Sequence, residues 1–164
     1  MKRHIHSGRY TTVNEEDIVV FIIGMRVNKW HAVHHWLPVF TAMPPMIKEL
    51  YANKEGLGFL SMDSYFGLRT TLMIQYWKSM DDLLAYARGK KHLKAWRNFN
   101  RKAADNQSVG FYHESYQLTG KKYESVYTNM PFHGLSNALS KIPITKHSNG
   151  ARKRLGDVRS RRLK

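Results

Sequence analysis

The sequence lacks cysteine altogether among its 164 residues. Disulfides, thiolate nucleophiles and metal sites with cysteine ligands are therefore excluded, and histidine and carboxylate side chains remain as the possible metal ligands. Long hydrophobic runs are also missing, since the longest covers residues 18–25 and a membrane span needs about 20 residues. The charged first residues have no apolar signal-peptide core. We therefore expect no membrane partner and a cytoplasmic location.

Acidic residues are few, with 12 Asp and Glu against 27 Lys and Arg, so the formal net charge is +15. A charge of this size favours nucleic acid as a partner. Much of the excess, however, lies near the C-terminus, where one acid, Asp157, stands among Arg152, Lys153, Arg154, Arg159, Arg161, Arg162 and Lys164. Such a run is typical of a solvated tail, so nucleic acid is the less favoured partner.

The length suits one domain, and an apolar content of 42% is enough for a core. We assign this domain to residues 15–130. An N-terminal arm at residues 1–14 precedes it, and an irregular basic tail at residues 131–164 follows it.

The strongest structural signal lies in the segment TTLMIQYWKSMDDLLAYARGKKHLKAWRNF, which begins at Thr70. Its first eight residues are largely apolar on both faces, which predicts a central strand covered on both sides. Ser79 is placed to cap the next helix by accepting a hydrogen bond from a backbone N–H near Asp82. A second helix then puts His92 and Trp96 on one face, so a histidine lies at an apolar edge.

Further strands are predicted where β-branched and aromatic residues follow one another or alternate with polar ones. They cover residues 18–28, 57–65 and 109–116. Residues 123–129 are either a fifth strand or an arm.

Helical spacing also appears between the first two strands, but Pro38, Pro44 and Pro45 interrupt it. We therefore expect a helix only from about Pro45, with proline in its first turn. The residues before Glu15 show little periodicity and are expected to form a frayed arm.

The predicted order of elements is β-α-β-β-α-(α)-β, which is the plan of the ferredoxin-like split βαβ fold. This α+β fold has an antiparallel four-stranded sheet with helices on one face. Because the first and third strands are apolar on both faces, a second subunit is expected to cover the other face. The sequence thus predicts a homodimer in which two sheets form a dimeric α+β barrel.

Histidines at the spacing of metal ligands occur in two groups. His4 and His6 share a face of an extended segment, and His31, His34 and His35 have helical spacing. No acidic partner stands close to the second group, so a surface role is favoured there over a metal site.

A family resemblance rests on the segments SGRYT, VVFIIGMRVNKW, HHWLPVF, MPPMIKELY, LGFL, LRTTLMIQYW, HLKAW, VGFYHESY and YESVYTNMP. Residues from about 8 to 135 resemble an uncharacterised monooxygenase-like family of the dimeric α+β barrel superfamily. Its members are often labelled phenylacetaldoxime dehydratase-like. The resemblance implies an oxidoreductase of the monooxygenase type, or a haem-dependent lyase similar to the aldoxime dehydratases.

The segment WKSMDDLLAYARGKKHLKAW also resembles the haem-degrading monooxygenases of the same superfamily. By that resemblance Trp77 matches the aromatic residue that packs over the haem. The position of their iron-ligating histidine falls on Trp96, and an indole cannot ligate iron. A haem in this chain would therefore need His92 or His113 as its axial ligand.

The resemblance implies a pocket between the sheet and the helices. We expect the catalytic candidates there to be His92 or His113 as a base and Gln75, or alternatively Asn28, as a donor to an oxyanion. The candidates for contact with the substrate are Trp77, Trp96, Met73, Phe111, Tyr112, Arg26 and Asn28.

Three uses of such a pocket remain open. The first is a cofactor-independent oxygenase for a small hydrophobic substrate, and the second is a haem enzyme with Arg26, Gln75 or Tyr112 on its distal wall. The third is a dimeric ligand-binding protein without catalysis, in which His92 and His113 only satisfy hydrogen bonds of the core. The sequence does not decide which strand face lines the pocket.

Overall fold

The computed structural model describes residues 4–103 and 107–156. In chain order its elements are β1 (His6–Thr12), β2 (Ile18–Val27), α1 (Val33–Ala52), β3 (Phe59–Phe66), β4 (Thr70–Trp77), α2 (Met80–Ala87), α3 (Lys90–Ala103), β5 (Val109–Leu118), β6 (Tyr127–Met130), α4 (Leu135–Ala138), β7 (Lys141–Pro143) and α5 (Ala151–Arg154). The strands form a four-stranded sheet with the order β3-β4-β2-β5 and a three-stranded sheet with the order β6-β1-β7.

The four-stranded sheet is antiparallel throughout, with β2 and β4 as its central strands. These two strands are the segments that are apolar on both faces in the sequence. This composition fits a central strand, which is covered from both sides. The strand order and the positions of the helices are those of the split βαβ arrangement. The prediction of a ferredoxin-like α+β fold is confirmed.

One face of this sheet carries the main core. Trp77 of β4 is fully buried there, beside Val19 of β2 and Met73 of β4. The helices supply Met43 and Leu50 of α1 to the same cluster. The odd-numbered residues of β2, β4 and β5 therefore face the helices, which answers the question that the sequence leaves open.

The opposite face is covered in part by the chain between β5 and β7, through Tyr123 and the short helix α4. Ile18 and Tyr76 of this face pack with Tyr123 and Leu139, which belong to the C-terminal part of the chain. The expectation that a second subunit alone covers this face needs correction. The chain itself covers one portion, and an open portion remains around the exposed side chain of Tyr112.

The N-terminal segment is not frayed as predicted, because β1 lies in the middle of the second sheet. Thr11 Oγ1 donates to the carbonyl oxygen of Ser125 at 2.6 Å, and the ring of Tyr10 stacks on Tyr127 with centroids 5.0 Å apart. The strand was missed because its partners lie more than a hundred residues away in the sequence.

The C-terminal segment is more regular than the predicted tail. Residues 127–130 form strand β6, so this part of the segment left open as a strand or an arm is a strand. Strand β7 pairs with β1 antiparallel. Arg154 anchors α5, because its Nε donates to Glu124 Oε2 at 2.8 Å. The remaining basic residues, Arg159, Arg161, Arg162 and Lys164, lie outside the described residues.

Helix α1 begins at Val33 rather than near Pro45, and all three prolines lie inside it. An interior proline costs about 3 kcal/mol because it removes a backbone hydrogen bond and crowds a carbonyl. The helix persists because Met43, Ile47 and Leu50 form a stripe that packs on the sheet core, and tertiary packing of such a face supplies most of a helix's stability. Neither α1 nor any other helix within the described residues is long and apolar enough to cross a membrane.

The predicted cap of α2 is present. Ser79 Oγ accepts a hydrogen bond from the backbone N–H of Asp82 at 3.1 Å, and Asp81 and Asp82 occupy the first turn. This cap directs the chain from the end of β4 into the helix that closes one side of the core.

Gly120 offers a test of how the turn after β5 docks on the segment before β2. A Cβ atom at Gly120 would meet the backbone carbonyl oxygen of Glu15 at 2.1 Å. We predict that Gly120→Ala lowers the free energy of unfolding by about 2 kcal/mol, because the backbone must shift to relieve the overlap. Urea denaturation measures this change.

The matched control is Gly150→Ala, where nothing lies within 4 Å of the added atom. Its effect should stay within about 0.5 kcal/mol. Equal stability of Gly120→Ala and the wild type would contradict the docking of this turn.

Candidate functional site

A cavity of about 580 Å³ lies between the four-stranded sheet and helices α1, α2 and α3. Its volume is in the range of small-molecule sites. Its wall is mainly apolar and includes Phe21, Ile23, Met43, Met73, Leu83 and Phe111. The cavity therefore suits a hydrophobic molecule held by a few polar groups.

Six of the residues predicted for the site line this cavity. They are Met73, Gln75, His92, Trp96, Phe111 and His113. Two strands and helix α3 bring them together, because the odd residues of β4 and β5 and the inner edge of α3 face the same space.

Trp77 does not line the cavity, but it is hydrogen-bonded to Gln75, which does. Its indole Nε1 donates to Gln75 Oε1 at 3.0 Å. Because an indole N–H only donates, the atom that it contacts must be the amide oxygen. The Gln75 Nε2 group makes no hydrogen bond within the described residues, so its N–H groups are available to a ligand.

The tautomer of His92 follows from its one hydrogen bond. His92 Nδ1 lies 3.0 Å from the carbonyl oxygen of Ala87, and a carbonyl oxygen only accepts, so Nδ1 carries the proton. In the neutral ring Nε2 therefore holds the free lone pair. This nitrogen has no partner within residues 4–103 and 107–156, and it is able to accept a proton or bind a metal ion.

The other predicted base, His113, lies on β5 and is exposed at the open side of the cavity. Its ring centroid is 5.7 Å from that of Phe21. No hydrogen bond of its side chain is found among the described residues, so none of them orients this ring as Ala87 orients His92.

Tyr86 also lines the cavity and was not predicted. Its ring centroid is 5.5 Å from Trp77 and 5.6 Å from His92. Burial, and secondly the negative charge of Glu49, raise the pKa of Tyr86 to about 12. The phenol therefore remains protonated at neutral pH and does not compete with His92 as a base.

Three of the predicted contact residues lie elsewhere. Arg26, Asn28 and Tyr112 occupy even-numbered positions, whose side chains leave the sheet on the face away from the cavity. Tyr112 lies directly over Gly24, where an added Cβ atom would meet its ring at 2.1 Å. Asn28 Nδ2 donates to the carbonyl oxygen of Gln107 at 3.0 Å. The geometry gives these residues no contact with a ligand in the cavity.

The two groups of histidines noted in the sequence lie at different elements, His4 with His6 around the start of β1 and His31 with His34 and His35 around the start of α1. The rings of His34 and His35 are 4.0 Å apart, and His6 stacks on Phe132 at 3.7 Å. Within the described ranges, no group of three or more His, Asp or Glu side chains is arranged to hold a metal ion.

A hydrogen-bonded chain on the opposite face was missed by sequence reasoning. The Tyr65 hydroxyl is hydrogen-bonded to His133 Nε2, and His133 Nδ1 lies 3.3 Å from Oδ1 of the buried Asp63. The other carboxylate oxygen accepts from the backbone N–H of Gly134 at 2.7 Å. Burial and the charge of Asp63 raise the pKa of Tyr65. This chain fastens the C-terminal layer to β3, and only the spacing of Asp63 and Tyr65 is visible in the sequence.

The fold is shared with solved aldoxime dehydratases. One of them, OxdRE in complex with butyraldoxime, superposes with a TM-score of 0.66 at 16% identity over 84% of this chain and 42% of that chain. Another superposes with a TM-score of 0.67 at 18% identity over 85% of this chain and 45% of that chain. At this level of identity the likeness concerns the fold.

Sequence comparison gives a relative from Aspergillus fumigatus, monooxygenase af470. The two are 23% identical over 148 residues, which cover 86% of this chain and 52% of the relative. The chain thus spans about half the length of the relatives that it matches. The sequence model of the monooxygenase af470-like family matches residues 18–135, which is well over half of the chain. The chain therefore belongs to the monooxygenase af470-like family.

Proposed function

We propose that this protein is a monooxygenase-like enzyme that acts on a small hydrophobic organic substrate in the cavity between sheet and helices. One observation supports this reading above the others. The apolar wall carries the imidazole of His92 and the amide of Gln75, and no described residue occupies the Nε2 lone pair of the first or the N–H donors of the second. A base and an oxyanion donor are what an oxygenase without a cofactor requires.

The proposed reaction starts when His92 Nε2 removes a proton from a carbon or hydroxyl group that is acidified by a neighbouring carbonyl. The negative charge moves to the carbonyl oxygen, where Gln75 Nε2 donates a hydrogen bond. The substrate anion then reduces O₂. For a CH₂ group oxidised to a carbonyl, one oxygen atom enters the substrate and the other leaves as water, so the substrate supplies all the electrons.

A second candidate is a haem-dependent lyase similar to the aldoxime dehydratases, whose fold this chain shares. The donor set fits a haem, because His92 Nε2 has no partner among the described residues while its Nδ1–H is held by a backbone carbonyl, the usual arrangement of a metal-ligating histidine. Arg88 on the wall would offer a cation to an acidic group of the ligand. When bound, the iron would bind and polarise a small ligand such as an aldoxime.

We further infer a homodimer. Tyr112 and Tyr116 are 47% and 48% exposed on the open part of the sheet face, and a second copy would cover them. A cytoplasmic location and the absence of a nucleic-acid partner stay predictions.

Oxygen uptake with anthrone as the probe tests the proposed base. Anthrone is apolar and has a CH₂ group acidified by its carbonyl, so its oxidation to anthraquinone and water follows the proposed reaction. We predict that His92→Ala lowers kcat by about 100-fold or more. His147→Ala changes an exposed histidine that does not line the cavity and should leave kcat unchanged. Full activity of His92→Ala, or loss in His113→Ala instead, would rule out His92 as the base.

The oxyanion donor is tested by Gln75→Leu and Trp77→Phe. Gln75→Leu should lower kcat about 100-fold, because it removes the donor. Trp77→Phe keeps a ring in the core but frees the amide to turn, so it should lower kcat several-fold with little change in KM. Trp36→Phe removes another indole hydrogen bond, to the carbonyl of Trp30, and is the control. Equal kcat in the two Trp variants would contradict the orienting role of Trp77.

Titration with haemin separates the two candidates. The oxygenase proposal predicts no saturable Soret band. The lyase candidate predicts a saturable shifted band that His92→Ala abolishes and His147→Ala retains. A band lost only in His113→Ala would assign the axial ligand to His113 and contradict the ligand role of His92.

A further inference from the structure

One end of the molecule exposes a group of large apolar side chains. The tip of the β3–β4 hairpin carries Leu68 and Phe66, which are 91% and 69% exposed. The chain just before α1 and its first turns add Trp30, Val33, Leu37 and Phe40, each 37% to 44% exposed. The Phe40 and Phe66 rings are 6.4 Å apart and join the two elements. We call these six residues the apolar end.

The charge around the apolar end has one sign. The segments that build it, residues 26–41 and 64–71, contain Arg26, Lys29 and Arg69 but no Asp or Glu. All three cationic side chains are exposed. Exposed aliphatic and aromatic groups beside cations indicate a partner that is apolar inside and anionic at its surface.

The charge also decides between possible occupants. A symmetric contact with a second copy would bring the same cations together, which is unfavourable. A nucleic acid would pair with the cations but would leave an aliphatic tip such as Leu68 in water. An anionic lipid surface satisfies both features, because the headgroups pair with the cations and the acyl boundary takes up the apolar tip.

We propose that the apolar end docks on anionic lipid bilayers, with Phe66 and Leu68 entering the boundary between headgroups and acyl chains. The hairpin tip needs no rearrangement to enter this boundary, because it is closed by a hydrogen bond from the N–H of Gly67 to the carbonyl oxygen of Thr70 at 2.8 Å. A peripheral contact needs no spanning segment. The proposal departs from the sequence-based expectation of no membrane partner, which depends on the lack of such a segment.

The docking surface adjoins the cavity. Pro38 and Val39 of α1 line the cavity, while Leu37 and Phe40 of the same turn belong to the apolar end. A hydrophobic substrate dissolved in the bilayer would thus lie next to the site. This consequence rests on the proposed function, whereas the docking itself does not.

Co-sedimentation of the full chain with vesicles tests the proposal. The vesicles are phosphatidylcholine alone, or phosphatidylcholine with phosphatidylserine in about a 2:1 ratio. We expect binding to the mixed vesicles and a loss of at least about 30-fold in Phe66→Ser/Leu68→Ser, because two apolar side chains no longer leave water. Both residues are exposed, so the variant should fold, which circular dichroism checks.

The matched control is Val126→Ser/Ile142→Ser, which changes two residues of 41% and 45% exposure outside the apolar end and should bind like the wild type. Equal binding of Phe66→Ser/Leu68→Ser and wild type would overturn the proposal and assign the binding to the basic C-terminus. Failure of the wild type to bind mixed vesicles would also overturn it. So would a loss of self-association in Phe66→Ser/Leu68→Ser, measured by sedimentation velocity without vesicles, since the apolar end would then be a contact between copies.

Discussion

The antiparallel pairing of β2 with β4 is the contact on which the rest of the structure depends. It runs from the Val19–Trp77 pair to the Arg26–Thr70 pair. Both strands are apolar on both faces, so the sheet that they centre must be covered twice. The helices α1 and α2 cover one face and enclose the cavity, and Tyr123 together with α4 and the following Leu139 covers part of the other face.

The chemistry of the cavity depends on two hydrogen bonds that point away from it. Trp77 holds the oxygen of Gln75, and the carbonyl of Ala87 holds the protonated nitrogen of His92. An amide has an oxygen and a nitrogen, and a neutral imidazole has one protonated and one unprotonated nitrogen. Because each hydrogen bond engages one of these two atoms, it also determines which atom remains for the cavity. The cavity therefore presents one oriented donor and one oriented acceptor within an apolar wall, which is the arrangement that the proposed oxygenase uses.

Sequence reasoning succeeded where the signal is local. The strand Thr70–Trp77, the Ser79 cap and the shared face of Phe111 and His113 were predicted and are present. It failed for the start of α1, because the cost of a proline is visible in the sequence while the packing of Met43 on a distant strand is not. In physical terms, propensity acts between neighbours, and packing outweighs it.

The sequence by itself determined the ferredoxin-like plan and the residues that share each face, since periods of 2 and 3.6 residues are written into the order of the side chains. Only the tertiary structure decided that Met73 and Gln75 face the cavity while Arg26, Asn28 and Tyr112 face away. It also decided the second sheet and the chain from Asp63 through His133 to Tyr65. These partners come from segments far apart in the chain, whereas sequence periods describe only near neighbours, so no local pattern records them.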